Sequence, residues 1–145
     1  MEYKNPAPTT NIIVEHENKI LLLKRNTEPY LGKFALPGGF VDYDEQVEVA
    51  AVREVKEETG VDIEVIEILG VYSAPDRNPS KHTISTVFIA KPLNVNLISS
   101  EEGEPVWMLI DEVIKTGLCF DHDKILNDYL QWKETKKTFW SSKNE

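Results

Sequence analysis

Only one cysteine, Cys119, occurs in 145 residues. An intrachain disulfide is therefore impossible, and such usage fits a reducing compartment, so a cytoplasmic location is expected. Long hydrophobic runs are missing too. No stretch approaches the ~20 apolar residues a membrane-spanning helix requires, and Met1-Glu2-Tyr3-Lys4-Asn5 does not open a secretory signal. Positive charge is scarce, with 16 Lys and Arg against 25 Asp and Glu and a formal net charge of -9. Duplex nucleic acid and anionic membrane both demand a basic surface, so neither is expected as a partner. A small anionic substrate stays open, because a bound metal ion inverts the local charge. Internal repeats, low-complexity segments and an interdomain linker are all lacking, so residues 1–145 are read as one domain.

What is present has the composition of a folded domain, 41% hydrophobic and 28% charged. Residues 1–10, with Pro6 and Pro8, read as an extended lead-in. Asn11–His16 and Lys19–Lys24 are apolar and β-rich, and Glu17-Asn18 between them reads as a hairpin turn. Lys33–Leu36 is a short strand stopped by Pro37, followed by a tight Gly38-Gly39 loop. A helical pattern then runs to about Thr59, with Asp42 or Asp44 as its cap and Gly60 closing it. Val47, Ala51 and Val55 mark its core stripe, with Val52 beside it. Strands are expected over Asp62–Tyr72, His82–Ala90 and Val106–Ile110, with loops over Ser73–Lys81 and Lys91–Pro105. Asp111–Lys115 reads as a helical turn, Asp121–Lys133 as an amphipathic helix, and the residues after Lys136 as a polar tail apart from Phe139 and Trp140. Helices interleaved with a mixed sheet predict an α/β fold, a three-layer α/β/α sandwich.

The chemistry concentrates in Leu36–Val61, LPGGFVDYDEQVEVAAVREVKEETGV. Glu54, Glu57 and Glu58 stand at i, i+3 and i+4 and share one helical face. Like charges so placed repel one another unless a cation lies between them, and a divalent ion held by oxygen ligands removes the conflict. Glu54 and Glu58 also share a ridge with Ala50, beside the core stripe, where a small residue lets the carboxylates approach the adjoining chain. A capped surface helix with Arg53–Glu57 pairing would account for the charges, but not for their spacing.

That spacing resembles the signature of the Nudix hydrolases, Gx5Ex7REUxEExGU with U aliphatic, at every specified position from Gly39 through Glu45 to Val61. The resemblance implies a Nudix-type sandwich that hydrolyses a nucleoside diphosphate linked to another moiety, with Mg²⁺ or Mn²⁺. Glu54, Glu57 and Glu58, with the backbone carbonyl of Gly38, match the metal ligands. Arg53 matches the arginine that orients the glutamates, and Glu45 supports the loop–helix junction. The general base is either Glu54 or a glutamate on a distant loop, for which Glu102, between Glu101 and Glu104, is the candidate.

Two further stretches resemble the ADP-ribose pyrophosphatases of the family: Tyr72–Pro79 with His82-Thr83-Ile84-Ser85, and Leu118–Leu126. Asn78-Pro79-Ser80-Lys81 departs from the usual Asp-Pro-Arg run, and Lys81 there offers a point charge in place of a fork. Arg25, Arg77, Lys81 and Phe120 are the candidate substrate-binding residues, and His82 and His122 are read as structural polar groups. The expected reaction converts ADP-ribose to AMP and ribose 5-phosphate. The alternatives are a nucleoside triphosphate pyrophosphohydrolase that removes oxidised nucleotides and a non-catalytic nucleotide-sensing module. The first hairpin and the C-terminal helix suit a homodimer.

Overall fold

A computed structural model describes residues 3–144; Met1 and Glu2, part of the opening judged too polar for a secretory signal, lie outside the described residues. The chain forms strands β1 (Ala7–His16), β2 (Lys19–Arg25), β3 (Phe34–Ala35) and β4 (Gly38–Phe40), then helix α1 (Val47–Thr59). Strands β5 (Ile63–Tyr72), β6 (Thr83–Pro92) and β7 (Gly103–Leu109) follow, then α2 (Ile110–Thr116), α3 (His122–Thr135) and β8 (Phe139–Trp140). The sheet runs β3-β2-β1-β6-β5-β8, with β4 added to β1 and β7 to β2.

Strand β1 organises this sheet because both its faces are apolar. Ile12 and Val14 join Ala51 and Val55 of α1 in one core cluster. Ile13 points the other way, into a cluster with Val113 of α2 and with Ile125, Leu126 and Tyr129 of α3. Alternation along a single strand therefore separates two helical layers, which gives the α/β/α sandwich. The hairpin turns at Glu17 and Asn18, both with positive φ (50° and 64°), the geometry of a two-residue turn whose twist matches its strands.

Several sequence expectations need correction. Residues 7–10 are part of β1, since Ala7 to Val14 pair in parallel register with Thr83 to Ala90 of β6. The Gly38-Gly39 loop is itself a short strand, pairing Gly38, Gly39 and Phe40 with Asn11, Thr10 and Thr9. Neither Asp42 nor Asp44 caps α1; Gln46 occupies that position without a side-chain capping bond. The acidic connector is instead drawn to Arg53, with Glu45 Oε1 also accepting the Asp42 N–H at 3.0 Å. Val52 is exposed, so the buried stripe of α1 is Ala51 and Val55 together with the Ala50–Glu54–Glu58 ridge. The polar tail contains a strand, for Phe139 and Trp140 pair with Gly70 and Val71 of β5. Gly70 is required there: a Cβ on it would lie 2.0 Å from the Phe139 carbonyl oxygen.

Candidate active site

The helix α1 ends at Gly60, whose φ of 82° places it in the left-handed region that glycine tolerates. Upstream, its ridge turns Glu54 and Glu58 against β4. Both residues are nearly inaccessible, 8% and 5% exposed, as the small Ala50 and the two glycines allow. The Gly38 N–H donates to Glu58 Oε1 at 2.8 Å. A Cβ on Gly39 would meet the Glu54 carboxyl carbon at 2.6 Å, so a larger residue there would push that carboxylate aside.

Arg53 governs the outer edge of the ridge. Its Nε and Nη2 grip Glu45 at 2.7 and 2.9 Å, while Nη1 donates to Glu54 Oε1 at 3.0 Å and to Glu57 Oε2 at 3.2 Å. A fork held this way fixes the rotamer of Glu54 as well as its charge. The Arg53 hydrogen bonds, joined by the Asp42 N–H, pull the Glu45 carboxyl down to about 2.

Glu102, in the turn just before β7, completes the cluster from the opposite side. One carboxylate oxygen each from Glu54, Glu58 and Glu102 lie within 4.8 Å of one another. Glu57, expected to be a third ligand, lies outside this group, largely exposed and bonded to Arg53, while Glu102 supplies the third carboxylate of the set. For Gly38, the amide is the group seen at work, on Glu58.

The electrostatics of the cluster favour a positive charge among its carboxylates. Burial pushes the Glu58 carboxyl up to about 10, helped by its hydrogen bond with Glu102 and the nearby charges of Glu102 and Glu54, and opposed by the Gly38 amide. Burial likewise raises Glu54, against the pull of Arg53. Three hard carboxylates converging on one point, two of them desolvated, are a donor set that fits a divalent cation of the Mg²⁺ or Mn²⁺ type.

The cluster forms part of a cleft of about 560 Å³, a size suited to a nucleotide-like ligand. Arg25, Arg77, Lys81 and Phe120 all line it. Their states differ. The Arg25 guanidinium lies 5.1 Å from the Phe120 ring centroid and donates through Nε to the Pro29 carbonyl at 2.7 Å. Lys81 caps the Phe40 ring at 4.6 Å, on the exposed rim. Arg77 is buried and already engaged: Nε and Nη2 bind both oxygens of Asp121 at 3.0 and 2.9 Å, and Nη1 donates to Thr83 at 2.7 Å. Its fork therefore ties the Ser73–Lys81 loop to the start of α3, leaving little of it free for a ligand.

His122 has a structural place in the wall. Its Nδ1 accepts the Leu36 N–H at 3.0 Å, just ahead of the glycine strand. Burial first, then Arg77 and Arg25, hold the imidazole neutral down to about pH 3. A folded-state value below the ordinary 6.5 means that the unfolded chain takes up a proton the native chain refuses. This contribution is complete above pH 6.5 and is lost as pH falls toward 3, at no more than about 1.4 kcal/mol per pH unit. His122→Asn keeps an acceptor for Leu36 but has no titrating ring. Urea unfolding should show wild type losing stability relative to this variant between pH 6.5 and 4; parallel pH profiles would refute the assignment.

Sequence reading missed Asn11, whose side chain lines the cleft and accepts the Ser85 hydroxyl at 2.8 Å. It also missed Ser141, whose Oγ accepts the N–H groups of Ser73 and Ala74 at 2.7 and 3.1 Å. No local signal marks either residue, because both depend on pairing between distant strands.

The fold and the carboxylate ridge define a Nudix protein: the NUDIX domain family matches residues 5–130, and the chain belongs to that family. It is a pyrophosphohydrolase of the Nudix type. An ADP-ribose pyrophosphatase from Methanocaldococcus jannaschii is 48% identical over 132 residues, covering 90% of this chain and 77% of that protein. An ADPR responsive transcriptional repressor from Acinetobacter baylyi is 28% identical over 135 residues, and the chain spans 53% of its length. Among solved structures, a NUDIX hydrolase from Nitrosomonas europaea superimposes with a TM-score of 0.83 at 30% identity, covering 97% of this chain and 80% of that one. No described helix is long and apolar enough to cross a membrane.

Proposed function

We infer that the protein hydrolyses ADP-ribose to AMP and ribose 5-phosphate, using Mg²⁺ or Mn²⁺. The observation that carries this reading is the single cleft in which three converging carboxylates share a wall with Arg25 and Phe120. The name of the relative at 48% identity supports the same substrate. Glu54, Glu58 and Glu102 would hold a divalent ion, whose charge would offset the pyrophosphate charge that otherwise repels an attacking water.

The chain's own groups do the rest. Arg53 keeps Glu54 in place and the Gly38 amide keeps Glu58 in place. Glu102 is the exposed member of the three, so it is the carboxylate we assign to accept the proton of the attacking water. Water oxygen bonds to one phosphorus as the bridging P–O bond breaks, leaving one phosphate on each product. Glu57 serves through Arg53. Arg25 and Phe120 offer a cation and a ring face for the nucleoside, and Lys81 offers a positive charge at the rim. Arg77 acts as the strut that holds this wall.

The test is a panel. ADP-ribose is expected to be cleaved faster than any ordinary or oxidised nucleoside triphosphate, with AMP as the nucleotide product. Faster release of pyrophosphate from a triphosphate would overturn the substrate. Tight ADP-ribose binding without turnover in Mg²⁺ and Mn²⁺ would identify a sensor module instead.

A further inference from the structure

Asn11 lies at the point where β1 meets the glycine strand, directly paired with Gly38. Its side-chain oxygen is committed, since the fully buried Ser85 hydroxyl donates to Oδ1 at 2.8 Å. With Oδ1 turned to that hydroxyl, Nδ2 faces the other way. Nδ2 lies against Gly38, 2.6 Å from where a Cβ of that glycine would stand. Gly38 in turn donates its N–H to Glu58. The neighbouring hydroxyls turn elsewhere, Thr9 and Thr10 donating to the carbonyls of Ile84 and Thr86. Among the described residues, Asn11 Nδ2 has no protein acceptor, yet Asn11 lines the cleft.

We propose that Asn11 is a substrate-binding residue, whose Nδ2, oriented by Ser85, donates to a pyrophosphate oxygen at the carboxylate end of the cleft. The oxygen is phosphoryl because Asn11 adjoins the glycine that holds Glu58, and that cluster is where the pyrophosphate must rest. A neutral donor suits the position. A lysine there would compete with the divalent ion for the carboxylates, whereas an amide N–H₂ adds an anion contact without charge. Ser85 is then a positioning residue, acting only through Asn11.

The proposal rests on the Nudix hydrolase reading but not on ADP-ribose as substrate. Wild type is first assayed on ADP-ribose and on the nucleoside triphosphate panel, and the variants are compared on whichever substrate it cleaves fastest. A wrong substrate therefore appears in the wild type alone. Asn11→Asp keeps an acceptor for Ser85 and removes the donor, so kcat/KM should fall about 10- to 150-fold, the loss of a hydrogen bond to a charged oxygen. Mn²⁺ affinity, titrated by electron paramagnetic resonance, should not weaken, and Tm should hold. The paired change Asn11→Leu with Ser85→Ala leaves no orphaned hydroxyl and should lose as much. Ser85→Ala alone should cost part of that factor, and nothing further when added to Asn11→Asp. Turnover within twofold of wild type in Asn11→Asp, or in the paired variant should Asn11→Asp not fold, overturns the proposal. So does a loss of Mn²⁺ affinity that parallels the loss of activity, which would make Asn11 a spacer for the glycine strand.

Discussion

Replacing Glu58 with glutamine lowers kcat by about 10³-fold or more while the protein stays folded. The residue is 5% exposed and one of its carboxylate oxygens belongs to the converging set of three. Glutamine has nearly the same volume, and its carbonyl oxygen can still take the Gly38 N–H that Glu58 accepts at 2.8 Å. What disappears is the anionic ligand. Sequence alone puts Glu57 on an equal footing, since it sits on the same face at i+3. The structure separates the two, because the Glu57 carboxylate is largely exposed and bonded to Arg53 at 3.2 Å. Glu57→Gln is therefore expected to cost at least about tenfold less than Glu58→Gln. Steady-state turnover with Mg²⁺, alongside circular dichroism, checks both variants. Equal losses would return Glu57 to the ligand set, and wild-type turnover in Glu58→Gln would remove the cluster from the mechanism.

Stripping divalent ions with a chelator should abolish turnover and also make the fold less stable. Glu54 and Glu58 are desolvated carboxylates facing Glu102, with Arg53 reaching only Glu54 among the three. An ion that binds only the native state stabilises it by about 2.7 kcal/mol at a hundred times its dissociation constant. For a chain of this size that corresponds to a rise in Tm of about 5–10 °C. Calorimetry with and without Mn²⁺ measures the shift. Glu58→Gln should lose most of it, whereas Glu57→Gln should retain it. A metal-independent Tm in wild type would refute the reading of the ridge as an ion platform.

The sequence made the ridge legible because a helix repeats locally: residues four apart must share a face, whatever surrounds them. Ala50, Glu54 and Glu58 were thus placed correctly, as was Gly60 at the helix end. Strands β1, β2, β5 and β6 were legible for a similar reason, being long and apolar. The N-terminus of α1 was misread because Asp42 and Asp44 are good caps by type, but Arg53, nearly two turns into the helix, competes for the acids of that connector. Arg77 was read as a free cation because its partner, Asp121, lies 44 residues away. Asn11 and β8 were missed for the same cause. Their roles arise from register between strands, and a single sequence does not encode register locally.

The short strand β8 lies beyond residue 130, where the match to the family ends. A chain trimmed to those family bounds would lose the last turn of α3 and the strand bonded to Gly70 and Val71. It would also lose Ser141, which fastens Ser73 and Ala74 at the root of the loop carrying Arg77 and Lys81. Domain boundaries drawn from the family alone would therefore yield a protein with its carboxylates in place and one bank of its cleft untethered.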